Sequence, residues 1–156
     1  MSEEQTFELS LEQVEDFEFR VRFDGTAIKD LATDESPPQG HDAGPNPARL
    51  LLAATANCLA ASLLFALRKF RNTPGPLRAK ARARMARNAS GRWRIAGMDV
   101  DVQLADTAAS LQHFERALAQ FEDFCIVTQS VRAGVPVRVW VRDGDGALVH
   151  ASDPET

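Results

Sequence analysis

Two cysteines, Cys58 and Cys125, are the first candidates for chemistry in this chain. A thiolate is a strong nucleophile, and a second thiol can capture the sulfenic acid that forms when the first is oxidised. The two residues are 67 positions apart, so spacing alone does not show that they meet. Two unreactive cysteines buried in a core are the plain alternative, and the residue types alone favour that alternative.

The other residue types that support catalysis show no grouping. The histidines His41, His113 and His150 are scattered, and the sequence has no CxxC or Cys/His cluster with zinc-site spacing. We therefore expect neither a metal nor a cofactor. The net charge of −4 argues against nucleic acid or an anionic membrane surface as a partner.

Cys58 lies in the middle of a long apolar segment, residues 47–70, which is predicted to be a helix. Asn46 can cap it, and Pro47 fits the first helical position, where a missing N–H costs nothing. A helix that is apolar on every side must be buried. A sheet covers only one side of such a helix, so a second copy of the chain is predicted to cover the other.

The same segment is long enough to span a membrane. However, Thr55, Asn57 and Ser62 dilute it, and it would be the only span. The acidic N-terminus contains no apolar stretch typical of a secretory signal. We expect a cytoplasmic protein that does not contact a membrane.

Cys125 lies near the start of a short predicted helix that Gly134 ends, where backbone N–H groups can favour a thiolate. The helix before it, which Asp106 or Thr107 can cap, has an apolar stripe that is predicted to be core. The stripe consists of Leu111, Phe114, Leu118 and Phe121.

Alternating apolar and polar residues predict the strands. They lie in one or two runs within residues 7–23 and in runs at 26–32, 77–87, 92–104 and 135–141. The basic alternation Arg78–Arg84 is predicted to be a solvated face, because no aromatic residues are interleaved to stack bases. Grouped strands around segregated helices predict an α+β fold with a largely antiparallel sheet. One domain is expected over residues 1–156, with a core at 7–142 and an exposed polar tail at 143–156.

Two separated segments, GPNPARLLLAATANCLA and FEDFCIVTQSV, resemble the OsmC/Ohr family of osmotically induced and organic hydroperoxide resistance proteins. The loop DESPPQGHDAGPNP is also similar to the Pro/Gly-rich segment of that family. The similarity runs over about residues 17–141 and places both cysteines in register.

The resemblance implies an OsmC-like fold, in which antiparallel sheets pack around a buried central helix in an intertwined homodimer. It also implies a peroxiredoxin-like thiol peroxidase that acts in oxidative stress defence. Cys58 would attack the organic hydroperoxide, Cys125 would resolve the sulfenic acid, and a dithiol reductant would reduce the disulfide.

The chain departs from the family pattern at two positions. The resemblance implies a Glu where Ala48 stands and a thiolate-stabilising Arg where Phe23 stands. Candidate replacements for that cation are Arg22, Arg49 and His41. The alternative function is therefore a non-peroxidatic OsmC-like dimer that binds a small apolar ligand at its interface.

Overall fold

The structure is a computed structural model that describes residues 3–134, 139–142 and 148–152. The fold is α+β with antiparallel pairing, as the sequence predicted. The chain divides into two compact units, one of residues 1–56 and 79–101 and one of residues 57–78 and 102–156. One domain over residues 1–156 stays a prediction.

The first unit begins with a three-stranded antiparallel sheet of strands β1 (Ser10–Glu15), β2 (Glu18–Arg22) and β3 (Leu31–Thr33). Leu11 and Leu31 pair with Val21, and Val21 is buried. Two strands within residues 7–23 are thereby confirmed. The predicted return strand at 26–32 is wrong in its start, because residues 26–30 form no strand after the turn at Asp24 and Gly25 and pairing begins at Leu31.

Strands β4 (Arg78–Arg87) and β5 (Trp93–Gln103) form a two-stranded sheet through a tight turn, in which the Asn88 N–H donates to the Arg92 carbonyl at 2.9 Å. β5 is one continuous strand, as the alternation allowed. Along β4, Ala81 and Ala83 are half-buried and the basic residues between them are exposed. The solvated basic face is confirmed.

The loop between β3 and the central helix is organised by the buried carboxylate of Asp34. It accepts hydrogen bonds from the N–H groups of Glu35 at 2.8 Å, His41 at 2.8 Å and Ala43 at 3.1 Å. At Gly44 a side chain would collide with the Ala32 carbonyl, so glycine is required there. Polar contacts therefore give this Pro/Gly-rich loop one conformation.

The central helix, α1, runs over Pro47–Lys69, one residue shorter than predicted. The Asn46 side chain accepts the Arg49 N–H at 3.0 Å, which confirms the predicted cap. One-third of the most apolar stretch of α1 is buried, and Leu51 and Phe65 are exposed. The helix passes a length and composition test for a membrane span. A single chain thus covers only part of α1, and the predicted cover by a second copy stays a prediction.

In the second unit, Leu63, Ala66 and Leu67 of α1 pack with Ala117 in a closed apolar core. Ala117 belongs to helix α2 (Phe114–Gln120), between the 3₁₀ turns Ala108–Ser110 and Phe121–Phe124. The predicted stripe is confirmed at Leu111, Phe114 and Phe121, which pack against this core. It is wrong at Leu118, which is 43% exposed, because Ala117, one residue earlier, takes the core position. The helix begins at residue 114, after a left-handed His113.

Helix α3 (Ile126–Ala133) ends at Gly134, whose φ of 72° is left-handed, as predicted for its stop. Strands β6 (Val139–Arg142) and β7 (Leu148–Ser152) then pair antiparallel. Residues 148–152 of the predicted polar tail thus pair in a sheet, and His150 and Ala151 are exposed. Residues 135–138 of the predicted last strand lie outside the described residues.

Candidate thiol site

Cys125 occupies the N-cap of α3 and is held by its backbone on both sides. Its N–H donates to the Glu122 carbonyl at 3.0 Å, and its carbonyl accepts the Gln129 N–H at 3.0 Å. Its φ of −80° and ψ of 90° are the extended values typical of a cap. The cap position turns the cysteine side chain toward the free N–H groups of the first helical turn.

Cys58 lies about three turns into α1 and is half-buried, whereas Cys125 is fully enclosed. Ser62 follows one turn later on the same side of the helix and is 7% exposed. The helix therefore places a thiol and a hydroxyl one above the other, next to the apolar core of the second unit.

The Cys125 sulfur is the centre of a small hydrogen-bond network. Its S–H donates to the Thr128 hydroxyl at a sulfur–oxygen distance of 3.0 Å. The side chains of Cys58 and Ser62 lie close to this sulfur and lower its pKa. The structure thus brings together two free thiols that are 67 positions apart in the sequence.

The network changes the acidity of the buried thiol. Burial raises the pKa of Cys125, while hydrogen bonds from Thr128, Cys58 and Ser62 lower it, and the net pKa lies below that of an ordinary thiol. A thiol whose pKa is lowered is a better nucleophile near neutral pH. Chemically, the pair is arranged so that oxidation of one sulfur can be followed by attack from the other.

A family model described as OsmC-like protein matches residues 40–139, more than half of the chain and both cysteines. The chain belongs to the OsmC-like family. The resemblance that the two cysteine-containing segments indicated is confirmed.

Solved structures show the same OsmC-like fold. An OsmC-like protein of unknown function from Vibrio cholerae superposes with a TM-score of 0.66 at 16% identity, covering 81% of this chain and 94% of that one. An OsmC-like protein from Mycoplasma pneumoniae gives 0.66 at 15% identity, with 85% and 91% covered. The organic hydroperoxide resistance protein OhrB of Bacillus subtilis gives 0.59 at 17% identity, with 83% and 93% covered. No curated protein matches the chain.

The three residues predicted to stabilise a thiolate in this OsmC-like protein all lie in the first unit. Arg22 pairs with Glu12 at 3.6 Å and with Asp30 at 3.4 Å. Arg49 donates to the Ser36 hydroxyl at 3.2 Å, and His41 donates its backbone N–H to Asp34. Their contacts in that unit are with polar or acidic groups, and a role beside Cys58 stays a prediction.

Among the described residues, no group of three or more His, Cys, Asp or Glu side chains is placed to hold a metal ion. The side-chain group that hydrogen-bonds to the Cys125 sulfur is the Thr128 hydroxyl.

Ser62 and Thr128 were missed by reasoning from the sequence, although each has a local signal. Ser62 is four residues after Cys58, which is the spacing of neighbours on one helix face. Thr128 is three residues after Cys125, the position whose N–H meets the side chain of an N-cap residue. Both signals depend on knowing that the two helices meet.

Proposed function

We propose that this OsmC-like protein is a thiol-dependent peroxidase that reduces organic hydroperoxides and acts in oxidative stress defence. The observation that supports the proposal is the proximity of two free thiols, Cys58 and Cys125, in the second unit. One structural relative carries the name organic hydroperoxide resistance protein, and it shares this fold.

In the first step, the Cys58 thiolate attacks the terminal oxygen of the hydroperoxide. The O–O bond breaks, the alkoxide leaves with its electron pair and takes up a proton, and Cys58 becomes a sulfenic acid. Cys58 is assigned this step because it is the more exposed of the two thiols.

In the second step, the Cys125 thiolate attacks the Cys58 sulfur. A disulfide forms, and hydroxide leaves and is protonated to water. A dithiol reductant then returns both residues to thiols and is itself oxidised to a disulfide. The lowered pKa of Cys125 suits this step, because it increases the fraction of attacking thiolate.

Apolar side chains near the thiols favour an organic hydroperoxide over hydrogen peroxide. Phe124 immediately precedes Cys125, and its ring meets Phe65 of α1 edge-on at 5.5 Å between centroids. Phe65 is 57% exposed, so its ring is available to an apolar substituent. The ammonium of Lys69 lies 5.3 Å from the Phe124 centroid, next to this aromatic pair.

We further propose a cytoplasmic homodimer. The single chain leaves large apolar side chains uncovered in both units, among them Leu11, Phe19, Leu51 and Phe65. A second copy that covers them would bury apolar surface at about 25 cal/mol per Å². A monomeric mass in solution at micromolar concentration contradicts this part of the proposal.

A second candidate function is a non-peroxidatic dimer that binds a small apolar ligand. It is favoured by Ala48 and Phe23 at the positions where the family resemblance implies a Glu and an Arg. A nearby cation stabilises a thiolate, and neither Ala48 nor Phe23 supplies one.

Consumption of cumene hydroperoxide by the reduced protein, with dihydrolipoamide as the dithiol, decides between the two functions. We expect consumption by the wild type, none by Cys58→Ser, and a single turnover by Cys125→Ser with the sulfenic acid trapped by dimedone. Retained consumption in Cys58→Ser, or none in the wild type with either lipoyl or thioredoxin-type reductants, overturns the peroxidase proposal.

A further inference from the structure

We propose that Thr128 is a positioning residue whose hydroxyl holds the Cys125 sulfur for attack on Cys58, in both protonation states of that sulfur. The inference rests on the proposed peroxidase, in which Cys125 carries out the second step. It assigns a neutral hydroxyl, rather than a cationic side chain, to the Cys125 sulfur.

Thr128 lies against the sulfur in the first turn of α3. Its hydroxyl oxygen lies 3.0 Å from the Cys125 sulfur. Thr128 is 5% exposed and Cys125 is fully buried, so water does not compete for this bond.

Ser62 lies near the same sulfur on the other helix. It is one turn beyond Cys58 on α1 and is 7% exposed. Its side chain is one of the groups that lower the pKa of Cys125. Ser62→Ala is therefore a second variant, whereas the hydrogen bond to the sulfur is that of Thr128.

Hydroxyls suit this task because they both donate and accept. When Cys125 is protonated, its S–H donates to the Thr128 oxygen. When the proton leaves, the Thr128 hydroxyl rotates and donates to the sulfur. The contact is thus kept in both protonation states without any movement of the backbone.

Two charged side chains of neighbouring segments, Glu122 and Lys69, have other partners. Glu122 pairs with Arg132 at 2.7 Å. The ammonium of Lys69 lies over the Phe124 ring, 3.4 Å from the Gln120 side-chain oxygen. The titratable group that lowers the pKa of Cys125 is Cys58. Once Cys58 is oxidised to a sulfenic acid, Thr128 keeps its bond to the Cys125 thiolate while it attacks.

The test compares Thr128→Val, which removes the hydroxyl and keeps the shape, with Thr128→Ser, which restores the hydroxyl. The pKa of Cys125 is measured from ultraviolet thiolate absorbance in the Cys58→Ser background. We expect Thr128→Val to raise this pKa by about one unit, equivalent to about tenfold less thiolate near neutral pH. Thr128→Ser should restore it, and Ser62→Ala should raise it less.

A second readout is the rate of disulfide formation after one equivalent of cumene hydroperoxide. We expect Thr128→Val to slow it by about tenfold and to accumulate dimedone-reactive Cys58. Thr55→Val is the matched control, since Thr55 is equally buried and its hydroxyl bonds only the Leu51 carbonyl of its own helix, at 2.9 Å.

The outcomes separate this inference from the proposed function. An unchanged Cys125 pKa in Thr128→Val overturns the role of the Thr128 hydroxyl, even if the wild type consumes peroxide. If the wild type consumes none but Thr128→Val still raises the pKa, the peroxidase proposal fails and the positioning role is retained. Thermal unfolding of each variant shows whether the fold is kept. If Thr128→Val does not fold, the Cys125 pKa is compared between the wild type and Thr128→Ser.

Discussion

Asp34 in the first unit and Cys125 in the second are both buried acidic groups, but different kinds of hydrogen-bond donor lower their pKa values. Both side chains are buried, with 2% and 0% of their surface exposed, and each is surrounded by hydrogen-bond donors. The His41 N–H is the largest influence on Asp34 and lowers its pKa; burial raises it, and the N–H groups of Ala43 and Glu35 lower it further. At Cys125 the donors are mainly side chains.

The difference separates a structural anion from a reactive one. Backbone N–H groups only donate, so the loop around Asp34 fits one protonation state and fixes one conformation. Hydroxyl and thiol groups donate or accept, so the surroundings of Cys125 tolerate the gain and loss of its proton. A reactive group needs that tolerance, and a structural one does not.

The largest effect is expected in the pH dependence of disulfide formation. The lowered pKa of Cys125 means that its thiolate is present above that pKa and is lost as pH falls through it. The rate should fall by about tenfold for each pH unit below the midpoint, which should lie below that of a free thiol. Rapid-mixing measurements over a pH series check this. A midpoint at or above that of free cysteine would contradict a lowered pKa of Cys125.

Replacing Asp34 should have the next largest effect, on stability. In Asp34→Asn the carboxylate charge that three N–H groups share is lost, and we expect the unfolding temperature to fall by several degrees. Asp42→Asn is the control, because Asp42 is exposed and accepts from the Ser36 hydroxyl at 2.6 Å. Equal losses in the two variants would show that Asp34 does not organise the loop.

The contribution of Asp34 to stability should also be visible in the wild type as the pH is lowered. Because the pKa of Asp34 is lowered on folding, its stabilisation is present above the unfolded value of about 3.9 and is lost as pH falls through the folded value. Denaturant unfolding below pH 5 should therefore show a steeper loss of stability in the wild type than in Asp34→Asn. Parallel curves would mean that other carboxylates account for the acid sensitivity.

The smallest effect is expected at the cap of α1. Asn46→Ala removes the acceptor for the Arg49 N–H, which should cost about 1 kcal/mol of the free energy of unfolding. Asn46→Ser is the control and should keep most of the stability, since serine caps equally well and adds no charge beside the Glu35 carboxylate, 3.2 Å from the Asn46 amide. A change in thiol chemistry in Asn46→Ala would show that the two ends of the helix are coupled.

The sequence predicted the features that depend on local chemistry. Asn46 and Pro47 marked the start of α1, Gly134 marked the end of α3, and the segments around Cys58 and Cys125 indicated the family. These signals operate over a few residues, where backbone preferences and capping decide the conformation.

Features that depend on distant contacts were not predictable in the same way. The proximity of Cys58 and Ser62 to Cys125 requires the meeting of two helices far apart in the sequence. The late start of α2 at residue 114 was missed because a non-glycine residue such as His113 gives little warning of a left-handed conformation.

The pairing of β6 with β7 has a practical consequence for recombinant work. A clone that stops at Asp143, as the polar composition of the tail invites, would remove the strand that occupies one edge of β6. Unpaired N–H and C=O groups on such an edge recruit other chains and promote aggregation. Affinity tags and truncations therefore belong beyond Ser152, where they leave the ladder intact.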